Sequence, residues 1–287
     1  MRLHMHLVSD STGDTVTAVA RAGISQFDGV VPVEHVWSFV RSKAQVEQVL
    51  SMVKALPGVV IYTMVSPDLR AALEEGCREL KIPSVPILDG VFKALSGILG
   101  AETRQQIGRQ HAMDDGYFSR IEAMDFMLQH DDGQSPWDLD EADIVLVGVS
   151  RASKTPTCIY LANRGLKTAN VPVVMDCPLP KELDSLKKPL VVGLTINPEP
   201  LVQIRSNRLK QMERGGSTPL RLTDDYTELD RVRGELVYAR RLFARYDWPV
   251  IDVTRRSVEE TAAAVFQLFQ GRASRPSTKP GIDPPPA

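Results

Sequence analysis

Short apolar runs that alternate with helical patterns predict an α/β fold built on parallel sheets. Two further observations divide it. Proline and glycine break the patterns at Pro57-Gly58 and Ser66-Pro67, and a polar stretch over residues 101–140 separates two strand–helix series. The expected organisation is an N-terminal parallel-sheet α/β domain over 1–100 and a bridging helical and loop segment over 101–140. A second α/β domain follows over 141–271, and a disordered tail over 272–287.

In order, residues 3–8 read as a strand that ends in the polar loop Ser9-Asp10-Ser11-Thr12-Gly13-Asp14, and 15–26 as a helix. Residues 33–39 are strand-like and 43–56 helix-like, until Pro57-Gly58 stops the helix before the buried-strand run Val59-Val60-Ile61-Tyr62. Ser66 is placed to cap the next helix, with Pro67 at its first position. A short strand over 84–88 and a helix after Asp89-Gly90 close the first series. In the bridge, 117–128 has the pattern of an amphipathic helix. The second series reads as strand 144–149, helix 155–164, strand 171–175 and strand 190–196, then a helix from Pro200. A long helix over 225–246, strand 249–253 and helix 258–269 complete it. The proline-rich residues that follow have no means of burying apolar surface. No internal repeat of solenoid length is present.

Composition excludes several classes. The 287 residues are 43% hydrophobic and 24% charged, enough to bury a full core. A net charge of −2 argues against a basic nucleic-acid coat. No apolar run approaches a membrane span, and the N-terminus has no apolar signal core. The three cysteines, Cys77, Cys158 and Cys177, are widely spaced and form no CxxC, which argues against a disulfide framework or a Cys-rich zinc site. The expectation is a cytoplasmic protein that binds neither nucleic acid nor membrane. A homodimer is compatible with the sequence, which by itself does not set the oligomeric state.

The most informative segment is Gly148-Val149-Ser150-Arg151-Ala152-Ser153-Lys154-Thr155, after the apolar run Ile144-Val145-Leu146-Val147 and before a helical pattern. That is the setting of a phosphate-binding loop, GxxxxGK[ST], with Ser153 in place of the second glycine. Backbone N–H groups and the helix N-terminus would receive an anion. Lys154 would reach the terminal phosphates, and the Thr155 hydroxyl would be free to ligate Mg²⁺. The other reading is a polar strand-to-helix turn. Because glycine tolerates positive φ and serine does so less easily, the loop geometry is expected to depart from the standard one.

Other candidates keep two readings each. Asp176 is either a metal-orienting carboxylate or a turn residue before Cys177-Pro178. The loop Ser9–Asp14 is either a second ligand-binding edge of the sheet or a helix cap made by Thr12 or Asp14. His111, beside Asp114 and Asp115, is either a general base or an ion-paired surface residue. Between Pro200 and Arg256 eleven arginines and one lysine face eight acids; Arg205 and Arg208 share a helix face, for phosphate contacts or for ion pairs.

Several separated motifs occur together. They are His6–Thr15, Tyr117-Phe118-Ser119-Arg120-Ile121-Glu122-Ala123, Asp131-Asp132-Gly133, Gly148–Thr157, Lys167-Thr168-Ala169-Asn170-Val171-Pro172 and Gly193-Leu194-Thr195-Ile196. In these the chain resembles the bifunctional regulatory proteins of pyruvate, phosphate dikinase and of phosphoenolpyruvate synthase, from about Leu3 to Arg272. The resemblance implies a P-loop kinase-like α/β domain in the second half. It implies ADP-dependent phosphorylation of a target threonine beside a catalytic histidine, and phosphate-dependent removal of that group with release of pyrophosphate. The stretch Asn163–Pro172 looks more like the dikinase branch, with the synthase as the alternative target. Gly148, Val149, Ser150, Arg151, Ala152, Ser153, Lys154 and Thr155 would then bind ADP, and Thr155 the Mg²⁺. Asp10, or an acid of the pair Asp131-Asp132, would orient the attacking hydroxyl or phosphate, so Lys154, Asp10 and Asp132 are the expected catalytic residues. A conventional ATP-dependent small-molecule kinase and a non-catalytic nucleotide sensor remain the other classes.

Overall fold

A computed structural model describes residues 1–104, 115–175, 177–214 and 226–273. His111, Asp114, Asp176, the expected helix start at Asp225 and residues 274–287 lie outside the described residues. The chain divides into two compact units, Met1–Ala112 and Met113–Ala287.

In the first unit β1 (Arg2–Ser9), α1 (Asp14–Ile24), β2 (Val31–Trp37), α2 (Lys43–Ala55), β3 (Gly58–Thr63), α3 (Pro67–Glu79), β4 (Ser84–Pro86) and α4 (Asp89–Leu99) alternate. The four strands form one parallel sheet in the order β2-β1-β3-β4. Both sheet faces are covered. Val46, Val49 and Val53 of α2 and Leu69, Leu73 and Cys77 of α3 pack with Val8, Val60 and Tyr62, whereas Val16 and Ala20 of α1 pack with Met5 and Leu7. Ser66 does hold the cap position of α3 with Pro67 after it, but its side chain makes no capping bond. Gly58 must be glycine, because a Cβ there would lie 1.9 Å from the His4 carbonyl oxygen of β1.

The second unit holds α5 (Asp115–Gln129), 3-10 turns at Asp131–Gly133, Pro136–Glu141 and Lys181–Ser185, and a second parallel sheet. Its elements are β5 (Ile144–Gly148), α6 (Lys154–Ala162), β6 (Thr168–Pro172), β7 (Leu190–Thr195), α7 (Pro198–Arg214), α8 (Leu229–Arg245), β8 (Val250–Asp252) and α9 (Val258–Ala273). The strand order is β6-β5-β7-β8. Central strands β5 and β7 are buried along their whole length, as strands covered on both faces must be.

Two expectations need correcting. The strand expected at 171–175 lies at Thr168–Pro172, in register with Ile144–Gly148. Polar Thr168 and Asn170 argue against a buried strand, yet each is buried with a side-chain partner: Thr168 Oγ1 donates to the Cys158 carbonyl at 3.1 Å, and Asn170 turns into the site described below. Helix α5 is not cleanly amphipathic: Ala123, Phe126 and Met127 are buried, but Phe118, Ile121 and Leu128 are exposed. Among the described residues no helix is long and apolar enough to cross a membrane.

Candidate functional site

Both sheets reverse their order between the first and third strands of their unit, and open α/β sheets bind ligands at the carboxyl edge of such a reversal. In the second unit that edge is the loop between β5 and α6. Gly148 ends the strand, where a Cβ would lie 2.7 Å from the Leu194 carbonyl oxygen of β7. Ser153 immediately precedes α6 and adopts φ 59°, ψ 17°, the left-handed conformation of the glycine it replaces; Arg151 is also left-handed at φ 71°. Ser153 therefore takes a backbone conformation that glycine adopts freely, at a cost of about 1–2 kcal/mol per such non-glycine residue.

Lys154 is buried, and its Nζ donates to the Val149 carbonyl at 3.0 Å. Burial pulls its pKa down to about 8, against the carboxylates of Asp132 and Asp131, which favour the charge. The Thr155 hydroxyl donates to Asp131 Oδ1 at 2.9 Å. Asn170 Nδ2 donates to the same Asp131 oxygen at 2.5 Å and to Thr155 Oγ1 at 2.9 Å, and it lies 3.4 Å from Asp132 Oδ1. The acids ride on a tight turn with three left-handed residues, Asp132, Gly133 and Ser135. His130 anchors this turn. It stacks on Phe126, its Nδ1 meets the Phe126 carbonyl and its Nε2 meets Asp138 Oδ1, both at 2.7 Å. Its own carbonyl accepts the Asn170 N–H of β6 at 3.0 Å.

Lys154, Thr155, Asp131 and Asp132 thus form one cluster at the start of α6. Asp132 is exposed, while Asp131 is half-buried and bonded twice. Among the described residues no group of three His, Cys, Asp or Glu has metal-ligand spacing. A hard cation that takes one or two carboxylates and completes its shell with phosphate oxygens still suits the oxygens present. Asn170 Oδ1, buried without a partner, is an unused acceptor in the same cluster.

Asp10 belongs to the first unit. Its Oδ2 accepts the Val65 N–H at 2.6 Å and its carbonyl accepts Arg41 Nε at 2.9 Å, so it ties the end of β1 to the segment after β3. Helix α1 is capped by neither Thr12 nor Asp14. Gly13 holds the cap position in the left-handed conformation, without a side-chain bond, and Thr12 Oγ1 donates to Asp14 Oδ2. Arg205 and Arg208 do not share an environment: the first is 1% exposed and the second is on the surface. Residue patterns missed the pairing role of Asn170 and the anchoring role of His130. A polar side chain between Ala169 and Val171 in a strand was the available signal for the former.

A family described as kinase/pyrophosphorylase matches residues 5–266. A protein of Caulobacter vibrioides is 53% identical over 268 residues, covering 93% of this chain and 83% of its own. One of Sphingopyxis alaskensis is 50% identical over 95% of this chain and 99% of its own. One of Afipia carboxidovorans is 50% identical over 94% and 95%. All three are assigned as pyruvate, phosphate dikinase regulatory proteins.

Proposed function

The chain belongs to the kinase/pyrophosphorylase family, and from that premise we propose that it regulates pyruvate, phosphate dikinase by reversible threonine phosphorylation. The observation that carries the reading is the cluster of Lys154, Thr155, Asp131, Asn170 and exposed Asp132 at the carboxyl edge of β5. ADP is the donor. The loop N–H groups from Val149 to Ser153 receive its phosphates, and Lys154 neutralises the β-phosphate. Thr155 and Asp131 are the residues that would hold a magnesium ion, which lowers the charge on the transferring group when bound.

In the forward direction the target threonine hydroxyl attacks the β-phosphorus of ADP, the Pβ–O bond breaks and AMP leaves. Asp132 takes the hydroxyl proton. In the reverse direction inorganic phosphate attacks the phosphothreonine, and pyrophosphate leaves while the threonine oxygen regains a proton. Asp132 is preferred over Asp10 for this work because it shares a unit with Lys154 and because its carboxylate is exposed to an incoming substrate. Phosphoryl transfer asks mainly for alignment and charge neutralisation, which this cluster can supply.

The test offers the protein two substrates, the dikinase and phosphoenolpyruvate synthase, each with its catalytic histidine phosphorylated. Label is followed from β-labelled ADP or γ-labelled ATP into threonine. Transfer from ADP to the dikinase is the expected result. Transfer from ATP alone, or to neither protein, would overturn the reading. Asp132→Asn should lower kcat by about 10²–10⁴-fold with little change in ADP affinity.

A further inference from the structure

Arg205 is the bulkiest fully buried side chain among the described residues, and no step above uses it. It extends from α7 and is gripped by Glu235 of α8, with Nη2 2.6 Å from Oε2 and Nη1 3.3 Å from Oε1. Nη2 also donates to the Ser150 carbonyl at 3.3 Å, and Nη1 to the Tyr226 carbonyl at 3.1 Å. The Tyr226 ring lies over the guanidinium, 4.5 Å away, and its hydroxyl is 3.3 Å from Ser150 Oγ. Two helices and an aromatic ring therefore converge on one residue of the phosphate loop.

Stability is a weak reason for this arrangement. Desolvating an ion pair is costly, and apolar residues of like volume often do as well or better. The Nε of Arg205 is also buried without an acceptor, which adds to the cost. The loop itself supplies a better reason. An anion is received by backbone N–H groups, and a carbonyl turned toward it would repel it. A carbonyl engaged by a guanidinium is held out of that role.

We propose that Arg205, set by Glu235, is a positioning residue for the phosphate loop: it fixes the Ser150 peptide so that the loop presents donors to the nucleotide. The inference rests on the reading of this loop as the ADP site. Misplacement of such a site by about 1 Å costs on the order of a hundredfold in rate.

The experiment compares the full chain with the double variant Arg205→Met/Glu235→Leu and with Arg205→Lys. Melting temperature, kcat, and KM for ADP and for the target protein are measured on each. In the double variant the melting transition of the second unit should stay within about 4 °C of the parent's. Its KM for ADP should rise at least about tenfold while KM for the target protein holds, a split that a merely structural residue would not produce. Arg205→Lys keeps the charge and loses the fork, so it should show a smaller rise in the same constant. A folded double variant with the parent's kinetic constants would overturn the proposal. If the double variant does not fold, Arg205→Lys decides, and an unchanged KM for ADP overturns it. A parent chain that transfers nothing from ADP would overturn the functional reading instead; ADP affinity by calorimetry would then still test whether Arg205 holds the loop.

Discussion

Binding of ADP should draw a proton onto Lys154. Burial holds this lysine at a pKa of about 8 against an ordinary 10.5, so at pH 8 about half the free protein carries it neutral. A phosphate placed beside it favours the charged form, by about two units for a close opposite charge. Proton uptake on binding is then about 0.1 at pH 7, about 0.5 at pH 8 and about 0.8 at pH 9. Calorimetry in two buffers of different ionisation enthalpy reads this directly, with Lys154→Met as the control for protons taken up by ADP itself. A flat profile between pH 7 and 9, or the same profile in Lys154→Met, would refute the reasoning. The same shift acts on stability with a known sign. The unfolded chain holds the lysine proton more tightly, so the stability of the parent relative to Lys154→Met should rise between pH 8 and 10.5, by about 3 kcal/mol, while the buried thiols of Cys77 and Cys158 act in both proteins and in the opposite sense.

Other expectations are equally open to measurement. Gly148→Ala pushes a Cβ to within 2.7 Å of the Leu194 carbonyl, a backbone atom that cannot rotate away. It should cost about 1–3 kcal/mol in a thermal melt and weaken ADP binding in the same variant. Ser153→Gly relieves a left-handed serine, so it should leave the second unit as stable or more so by up to about 1 kcal/mol. Its ADP affinity, by titration, should stay within about threefold, since the loop's N–H groups remain. In the first unit, burial holds the His6 pKa below 6.5, and the nearby His35 and His4 add to the effect against a hydrogen bond to the Leu56 carbonyl. Protonation therefore favours the unfolded chain, and stability should fall as pH drops below 6.5 until the folded-state pKa is passed. Urea melts at pH 7 and pH 5.5 should show a loss that shrinks in His6→Leu.

The strand, loop and helix around Lys154 were legible because an apolar run, a polar turn and a helical pattern follow one another without a break. Periodicity also placed the other strands to within a few residues. It failed at β6, where Thr168 and Asn170 are polar and buried: their partners come from Cys158 and from the Asp131 turn, distant in sequence. The turn itself reads only as polar residues, since its left-handed path is fixed by His130, Phe126 and Asp138 acting together. Arg205 illustrates the same limit. Helical spacing paired it with Arg208, yet Glu235, thirty residues on, determines that one is buried while the other faces solvent. Strand order leaves no local pattern at all, so the matching order of the two sheets appears only in three dimensions.

Each sheet takes its four strands from one uninterrupted stretch, β1–β4 within Met1–Ala112 and β5–β8 within Met113–Ala287. Neither waits for a strand from the other half. Cooperative unfolding is thus expected in two transitions, and a single melting midpoint would blend two quantities. On the ribosome the consequence is one of timing. Domains fold as units in order of emergence. A nascent chain can close its first sheet before any residue of the loop between β5 and α6 has been made.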